Sequence, residues 1–298
     1  MFYKNWMSYI RDDAKITRVA MPGSHNSATI RMNKFACCQK GTLYEQFEHG
    51  LRMFDLRIKA DKKGRLSVAH GIITGIPAEE AFRDLKRIID ETDEFFVISL
   101  QTYMNQRVGP IKLSYNGNTA ETSRLIREYL SPEKFALTDV SDIGNMTMGD
   151  IRKSGKKYII INEKEEYDFS VNCPFAYPWE SHIYGMKPEK FSKVIFKYFD
   201  ETDTDGFFGF QTQLTPNPGT ENGWLKWPDD LDDMIRPFIP RIVSDIVSDP
   251  AKLEKVNIIV GDFMTRDFMK SNEILSLNLE KGIVKPELEA EYRKAVGK

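Results

Sequence analysis

Cysteine is scarce in this chain, with three residues in 298: Cys37 and Cys38 are adjacent and Cys173 stands far away. Three cysteines cannot all pair, and with no CxxC spacing neither a zinc site nor a redox motif is expected. Neither sign of charge dominates, since 42 Lys+Arg face 44 Asp+Glu for a net charge of −2. With no basic tract, that balance excludes a nucleic-acid footprint and strong electrostatic docking to an acidic membrane. No apolar run approaches the roughly 20 residues that span a bilayer. The opening Met1-Phe2-Tyr3-Lys4-Asn5-Trp6 lacks a basic segment followed by an apolar core. A mature or trimmed chain, or a protein that stays in the cytoplasm, is therefore expected. Repeats, low-complexity stretches and Gly/Ser linkers are missing too, which favours one folding unit over residues 1–298.

What is present alternates. Short β-branched or aromatic runs occur at Ile16 to Met21, Leu51 to Ile58, Phe95 to Leu100, Tyr158 to Ile161, Gly206 to Gln211 and Val256 to Val260. Several are nearly continuous in apolar residues, as expected of parallel strands buried on both faces. Helical patterns lie between them. Pro77 to Asp90 places Ala78, Ala81, Phe82, Leu85, Ile88 and Ile89 on one face. Thr119 to Leu130 and Pro188 to Phe199 read as further helices. Leu231 to Val247 carries Pro237 and Pro240, so its regular helix is expected to begin at or after them. Seven or so strands alternating with helices suit one α/β unit, a single distorted (β/α)8 TIM-type barrel, better than two small domains.

Such a barrel carries its chemistry where strands run out. Pro22-Gly23-Ser24-His25-Asn26-Ser27 follows the first run, and Asp55 and Arg57 alternate with apolar residues, so they share one side of their strand. Ser67-Val68-Ala69-His70-Gly71 delivers a second histidine among small residues. Gln101, Asn162 and Asp262 each follow a later run. Taken singly, each has a bland reading as a core histidine, a structural ion pair or a helix cap. Taken together, two imidazoles can divide proton abstraction from proton donation. A guanidinium offers fixed charge and a donor fork for phosphate oxygens, and a carboxylate can hold one imidazole in the basic tautomer. The set suits phosphoryl transfer from an ester whose neighbouring hydroxyl is the nucleophile.

Pro22-Gly23-Ser24-His25-Asn26-Ser27, Phe54-Asp55-Leu56-Arg57 and Ala69-His70-Gly71 resemble the X-box of phosphatidylinositol-specific phospholipase C. An X-box-like core spans about residues 10–165, and the bacterial branch of that family matches in length. Phe96-Val97-Ile98-Ser99-Leu100, Gly149-Asp150-Ile151-Arg152 and Gly261-Asp262-Phe263 are weaker likenesses to later blocks. The resemblance implies a distorted barrel in which His25 is the general base on the inositol 2-hydroxyl and His70 the acid for the departing diacylglycerol oxygen. Arg57 would stabilise the phosphoryl oxygens, Asp262 would orient His25, and Asp55 would position the acid and Arg57. The implied product is inositol 1,2-cyclic phosphate, and Asn26, Gln101, Arg152 and Glu180 would contact the head group.

Departures from the family pattern bear on metal and on specificity. Secreted bacterial members carry Asp after the first His, whereas the calcium-dependent enzymes carry Asn there, with further carboxylates where Asp55, Arg57 and Gln101 stand. Arg57 occupies the space and charge that Ca²⁺ would provide, so no metal and no cofactor are expected. Gln101 replaces a ring-binding Lys, which puts the head group in question. Trp224 and Trp227, and Phe35 in the segment Asn33 to Gln39, are candidate membrane-interface residues. The expected partners are an inositol phospholipid and, transiently, a membrane surface, met by a monomer. The family is largely secreted. Rival readings are a calcium-dependent lipase using Asn26 and Asp55, and a non-catalytic barrel that binds an inositol or glycan head group. Glycerophosphodiester phosphodiesterases are disfavoured by the lack of a His-Arg-Gly opening and an acidic metal cluster.

Overall fold

The computed structural model describes residues 2–108, 111–162, 167–216 and 226–298. Its strands are β1 (Met21–Ser24), β2 (Met53–Ala60), β3 (Leu66–His70), β4 (Ile73–Pro77), β5 (Phe96–Gln101), β6 (Tyr103–Val108), β7 (Ile111–Asn116), β8 (Tyr158–Ile161), β9 (Phe175–Ala176), β10 (Phe207–Gln211) and β11 (Ile258–Gly261). Seven of them pair in parallel, in the order β8-β5-β2-β1-β11-β10-β9. A parallel bridge from Ile161 to Val171 extends the path beyond β8. β3 and β4 form an antiparallel hairpin on the far half of β2, and β6 with β7 make a separate hairpin. The result is an α/β fold with a mixed sheet.

Side-chain parity along the parallel strands separates two apolar layers. Phe54, Leu56, Phe96, Ile98, Tyr158, Ile160, Phe208, Phe210 and Ile259 belong to one cluster, which also holds the predicted helix face from Ala78 to Ile89. Met21, Met53, Val97, Ile159, Ile161, Phe207, Ile258 and Val260 belong to the other, together with Trp6, Met7 and Ile10. A strand alternates faces with period two, so each strand feeds both layers and both of its faces are buried. The second layer is tight: a Cβ on Gly23 would lie 3.1 Å from Ile258, Met53 and Val260.

At the start of β2 this layer is closed by a buried ion pair. Arg52 is fully buried, and its Nε and Nη2 donate to Glu94 at 3.1 and 2.7 Å. Its remaining donors reach the carbonyls of Phe47, Leu51, Tyr3 and Lys4. Glu94 also accepts from the amides of Met7 and Ser8.

Three expectations need correction. Ile16 to Met21 is not a strand: Ile16–Arg18 is a 3-10 turn and β1 begins at Met21. The Asn257 side-chain amide takes the carbonyls of Ile16 and Val19, which removes them from any ladder. The helix from Pro188 to Phe199 divides into Pro188–Val194 and Lys197–Glu201, with the break where Phe196 and Phe199 both pack on Phe210. A helix, Pro228–Ile235, precedes the prolines that were expected to open the regular one. A 3-10 turn at Arg236–Phe238 then leads into Ile239–Val247. Prolines are tolerated in a first turn because the amide they lack has no partner there.

Candidate active site

The parity that places Met21, Met53, Val97 and Ile258 in one layer continues within β2 to Asp55 and Arg57 and within β5 to Gln101, and one residue past β1 and β11 to His25 and Asp262. Apolar residues fill the layer at the beginnings of the strands, and polar or charged ones take over farther along them. The register adds to this, since Arg57 lies opposite Gln101 on β5. His70 arrives differently, at the tip of the β3–β4 hairpin beside Gly71, whose φ is +55°.

His25 and His70 face each other edge to face with ring centroids 6.3 Å apart. His25 Nδ1 lies 2.8 Å from Asp262 Oδ1, which leaves Nε2 as the basic nitrogen; Asn26 Nδ2 stands 3.0 Å from it. Asp55 is buried and grips Arg57 twice, accepting from Nε at 3.0 Å and Nη2 at 2.7 Å, and it also accepts from the Asn26 amide at 3.1 Å. The two strand ends are sharply turned, with Asn26 at φ +46° and Phe263 at φ +48° directly after His25 and Asp262. A left-handed bulky residue such as Phe263 is strained and needs holding. Its amide donates to Cys38 O at 2.8 Å, and Arg236 Nη2 donates to its carbonyl at 2.9 Å. Gln39 ties both strand ends together through the carbonyls of His25 and Gly261 and the amide of Met264.

The electrostatics divide the roles. Burial would raise the Asp55 carboxyl, but the Arg57 charge and hydrogen bonds outweigh it and hold Asp55 ionised. Burial likewise opposes the Arg57 charge, and Asp55 more than restores it. His70 is lowered to about 4, first by burial and then by the charges of His25 and Arg57. Its Nδ1 donates to Ala36 O at 2.8 Å, which leaves Nε2 as the nitrogen without a proton. An unfolded histidine titrates near 6.5. Between that value and about 4 the unfolded chain therefore binds a proton that the folded one refuses. Stability contributed by His70 is present above pH 6.5 and is lost as the pH falls through that window. Denaturant unfolding of wild type and His70→Gln at pH 7 and pH 4.5 should show a steeper fall for the wild type; parallel falls would remove His70 as the cause.

Arg152 and Glu180, both expected to contact the head group, are engaged by the protein itself. Arg152 pairs with Asp12 and donates to the carbonyls of Met7 and Ile10, in the apolar layer at the opposite ends of the strands. A local motif does not reveal which end of a sheet its helix serves. Glu180 lies beyond β9, but its oxygens accept from the His182 and Ile183 amides at 2.7 and 2.9 Å, which caps a helical turn. Gln101 is exposed beside Arg57 and Asn26 is buried within the cluster, as their positions in sequence imply. Trp224 lies outside the described residues, and Trp227 is half-buried against Phe35.

Sequence reasoning missed Cys38, Tyr115 and Tyr177. Cys38 Sγ lies 3.8 Å from both His70 Nδ1 and Asn26 Nδ2. The Tyr115 and Tyr177 hydroxyls are buried, have no partner among the described residues and feel the charges of Asp55 and Arg57. Burial raises both, Tyr115 to about 12, so both keep their protons and can donate. Tyr177 lies over β10 because position 209 is glycine: a Cβ there would stand 2.6 Å from its ring. β9 has only two residues, too few for a periodic signal to show that Tyr177 faces the site.

This architecture is that of the bacterial phosphatidylinositol-specific phospholipases C. The Listeria monocytogenes structure matches with a TM-score of 0.63 at 17% identity, over 93% of this chain and 98% of that one. A Staphylococcus aureus structure gives 0.64 at 16%, over 92% and 97%. At such identities the likeness is one of fold. In sequence, the 1-phosphatidylinositol phosphodiesterase of S. aureus strain Newman is 27% identical over 135 residues, which is 42% of this chain and 40% of that protein. The protein of the same name from strain NCTC 8325 / PS 47 is also 27% identical, with 38% of its length matched. The match thus spans about two fifths of these curated relatives. No protein-family model matches the chain. The resemblance drawn from the X-box-like residues is borne out by these relatives.

Proposed function

We propose that this chain is a metal-independent phosphodiesterase of the phosphatidylinositol-specific phospholipase C type, releasing diacylglycerol and inositol 1,2-cyclic phosphate. The observation that carries the reading is the pair of opposed imidazoles, His25 backed by Asp262, with the Asp55-held Arg57 in the same cluster. His25 Nε2 takes the proton of the inositol 2-hydroxyl, displacing the Asn26 amide, and the freed oxygen attacks phosphorus. Arg57 receives the phosphoryl oxygens with donors already fixed in place, so little reorganisation is needed as charge develops. His70 is neutral in the free site; a phosphodiester anion beside it favours its charged form. The acid is therefore loaded by the substrate and protonates the departing glycerol oxygen. Both Asp55 oxygens serve Arg57, so a hard cation would have to displace a guanidinium to use them.

We read residues 1–298 as one catalytic unit and the sheet as a distorted barrel, on the support of the β1–β11 pairing between chain ends and the Ile161–Val171 bridge. Phosphorus NMR of the products from phosphatidylinositol and from soluble inositol phosphodiesters tests the reaction. A cyclic phosphate that forms first, in the presence of EDTA, is expected. Direct appearance of the 1-monophosphate, or loss of turnover in EDTA with rescue by Ca²⁺, would overturn the reading.

The rim of the same end carries an aromatic pair suited to lipid. Phe35 is 57% exposed and meets Trp227 at 4.0 Å, with Lys34 Nζ 4.4 Å over the indole. No described helix is long and apolar enough to cross a membrane. Amphipathic rings favour the lipid interface. The double variant Phe35→Ala/Trp227→Ala should bind vesicles at least ~10-fold more weakly, since burying such rings is worth about 1.5–3 kcal/mol each, while it turns over soluble substrate normally. Equal losses in both assays would assign the pair to folding.

A further inference from the structure

Cys38 has no part in the proton transfers, yet it is held in their midst. Its amide donates to Thr29 Oγ1 at 2.9 Å and its carbonyl accepts from Phe263 N at 2.8 Å, so the backbone is fixed on both sides. One ligand atom each from His25, Cys38 and Asp262 lie within 4.8 Å of one another. Asn26 Oδ1, beside them, is buried and has no partner among the described residues.

We propose that this cluster is a binding site for a thiophilic divalent cation of the zinc type, and that the bound ion switches the phosphodiesterase off. The second half rests on the function proposed above; the binding itself does not. A thiolate, an imidazole and a carboxylate are zinc's preferred donors, whereas Ca²⁺ and Mg²⁺ call for sets of oxygens. Zn–S and Zn–N bonds of about 2.3 and 2.0 Å place tetrahedral ligand atoms about 3.3–3.6 Å apart. Side-chain rotations must draw the present spread, up to 4.8 Å, in to that range. A half-turn of the Asn26 amide exchanges Oδ1 with Nδ2, which stands 3.0 Å from His25 Nε2 and 3.8 Å from Cys38 Sγ, and so offers Oδ1 as a neutral further donor. The Cys38 thiol proton leaves to solvent as the Zn–S bond forms. The ion takes the carboxylate and the ring on which the general base depends. With that ring and carboxylate held by the metal, the general base is blocked.

The test uses the reduced 298-residue protein in chelator-free buffer. Titration with Co²⁺ is followed by the thiolate-to-cobalt charge-transfer absorption, and Zn²⁺ inhibition is measured against each protein's own metal-free rate. Wild type and Cys37→Ala should show a stoichiometric band that Zn²⁺ displaces. Zn²⁺ should inhibit both, and EDTA should reverse it. Cys38→Ser should lack the band and need at least ~10-fold more Zn²⁺, in line with the loss of one ligand. Cys38→Ala serves if the serine variant does not fold. An absent band in wild type, or equal Zn²⁺ sensitivity in Cys38→Ser, would overturn the site. A band in a protein with no phosphodiesterase turnover would uphold the binding and sink the functional reading instead. Activation by Zn²⁺ would overturn the off-switch and metal independence together.

Discussion

Replacing His25 by alanine should lower turnover of phosphatidylinositol by 10²- to 10⁴-fold, the range typical of losing a positioned general base. At about 1.4 kcal/mol per decade this is roughly 3–6 kcal/mol of transition-state stabilisation. The reason is geometric. Asp262 holds Nδ1 at 2.8 Å, so only Nε2 is free to face a substrate hydroxyl, and no other described imidazole has that carboxylate support. His49 stacks on Phe268, and His182 is exposed beyond β9. The loss should fall on kcat rather than on substrate affinity, because Arg57 and Asp55 remain in place. Added imidazole should restore part of the rate, and the variant's pH profile should flatten on its acidic side. A loss under tenfold, or one confined to KM, would show that His25 is not the base.

The second large effect concerns stability and leaves the chemistry alone. Glu94→Ala should destabilise the protein by about 3–5 kcal/mol, because it strands a fully buried guanidinium with carbonyls as its only acceptors among the described residues. It also frees the Met7 and Ser8 amides that hold the amino-terminal segment against the second apolar layer. For a chain of this length the melting temperature should drop on the order of 10 °C. Turnover per folded molecule should be unchanged, since the pair sits at the opposite ends of the strands from His25 and Asp262. Calorimetry together with an activity assay below the transition separates the two outcomes. A Glu94→Ala protein as stable as wild type would mean that the pair is solvated or replaceable.

What could be read before the fold was known follows from periodicity. Apolar runs marked where most parallel strands lie, and Tyr158 to Ile161 was placed to the residue. The spacing of Ala78 to Ile89 marked the face that the helix buries. Asp55 and Arg57, two apart within an apolar run, had to share a face, and the structure joins them by two hydrogen bonds. Those inferences need only local geometry, which the chain carries in its order of residues. The 3-10 turn at Ile16–Arg18 escaped because Asn257, more than two hundred positions later, captures its carbonyls.

The chain's order of residues by itself determined which side chains could do acid–base chemistry and on which side of a strand they would lie. Only the tertiary structure decided which of them meet. Arg152 and Arg57 are both arginines in family-like motifs, yet one closes the floor of the sheet and the other grips Asp55 at its mouth, because the end of a strand that a residue occupies is set by chain direction and packing. Cys38, unexplained as an odd cysteine in a sequence with no pairing scheme, becomes a neighbour of both histidines once the turns at Asn26 and Phe263 fold its loop across the strand ends. The hydroxyl of Tyr177 enters the site only through the space left by Gly209 on a neighbouring strand. Contacts of this kind have no period and no fixed spacing, so no local reading of the chain contains them.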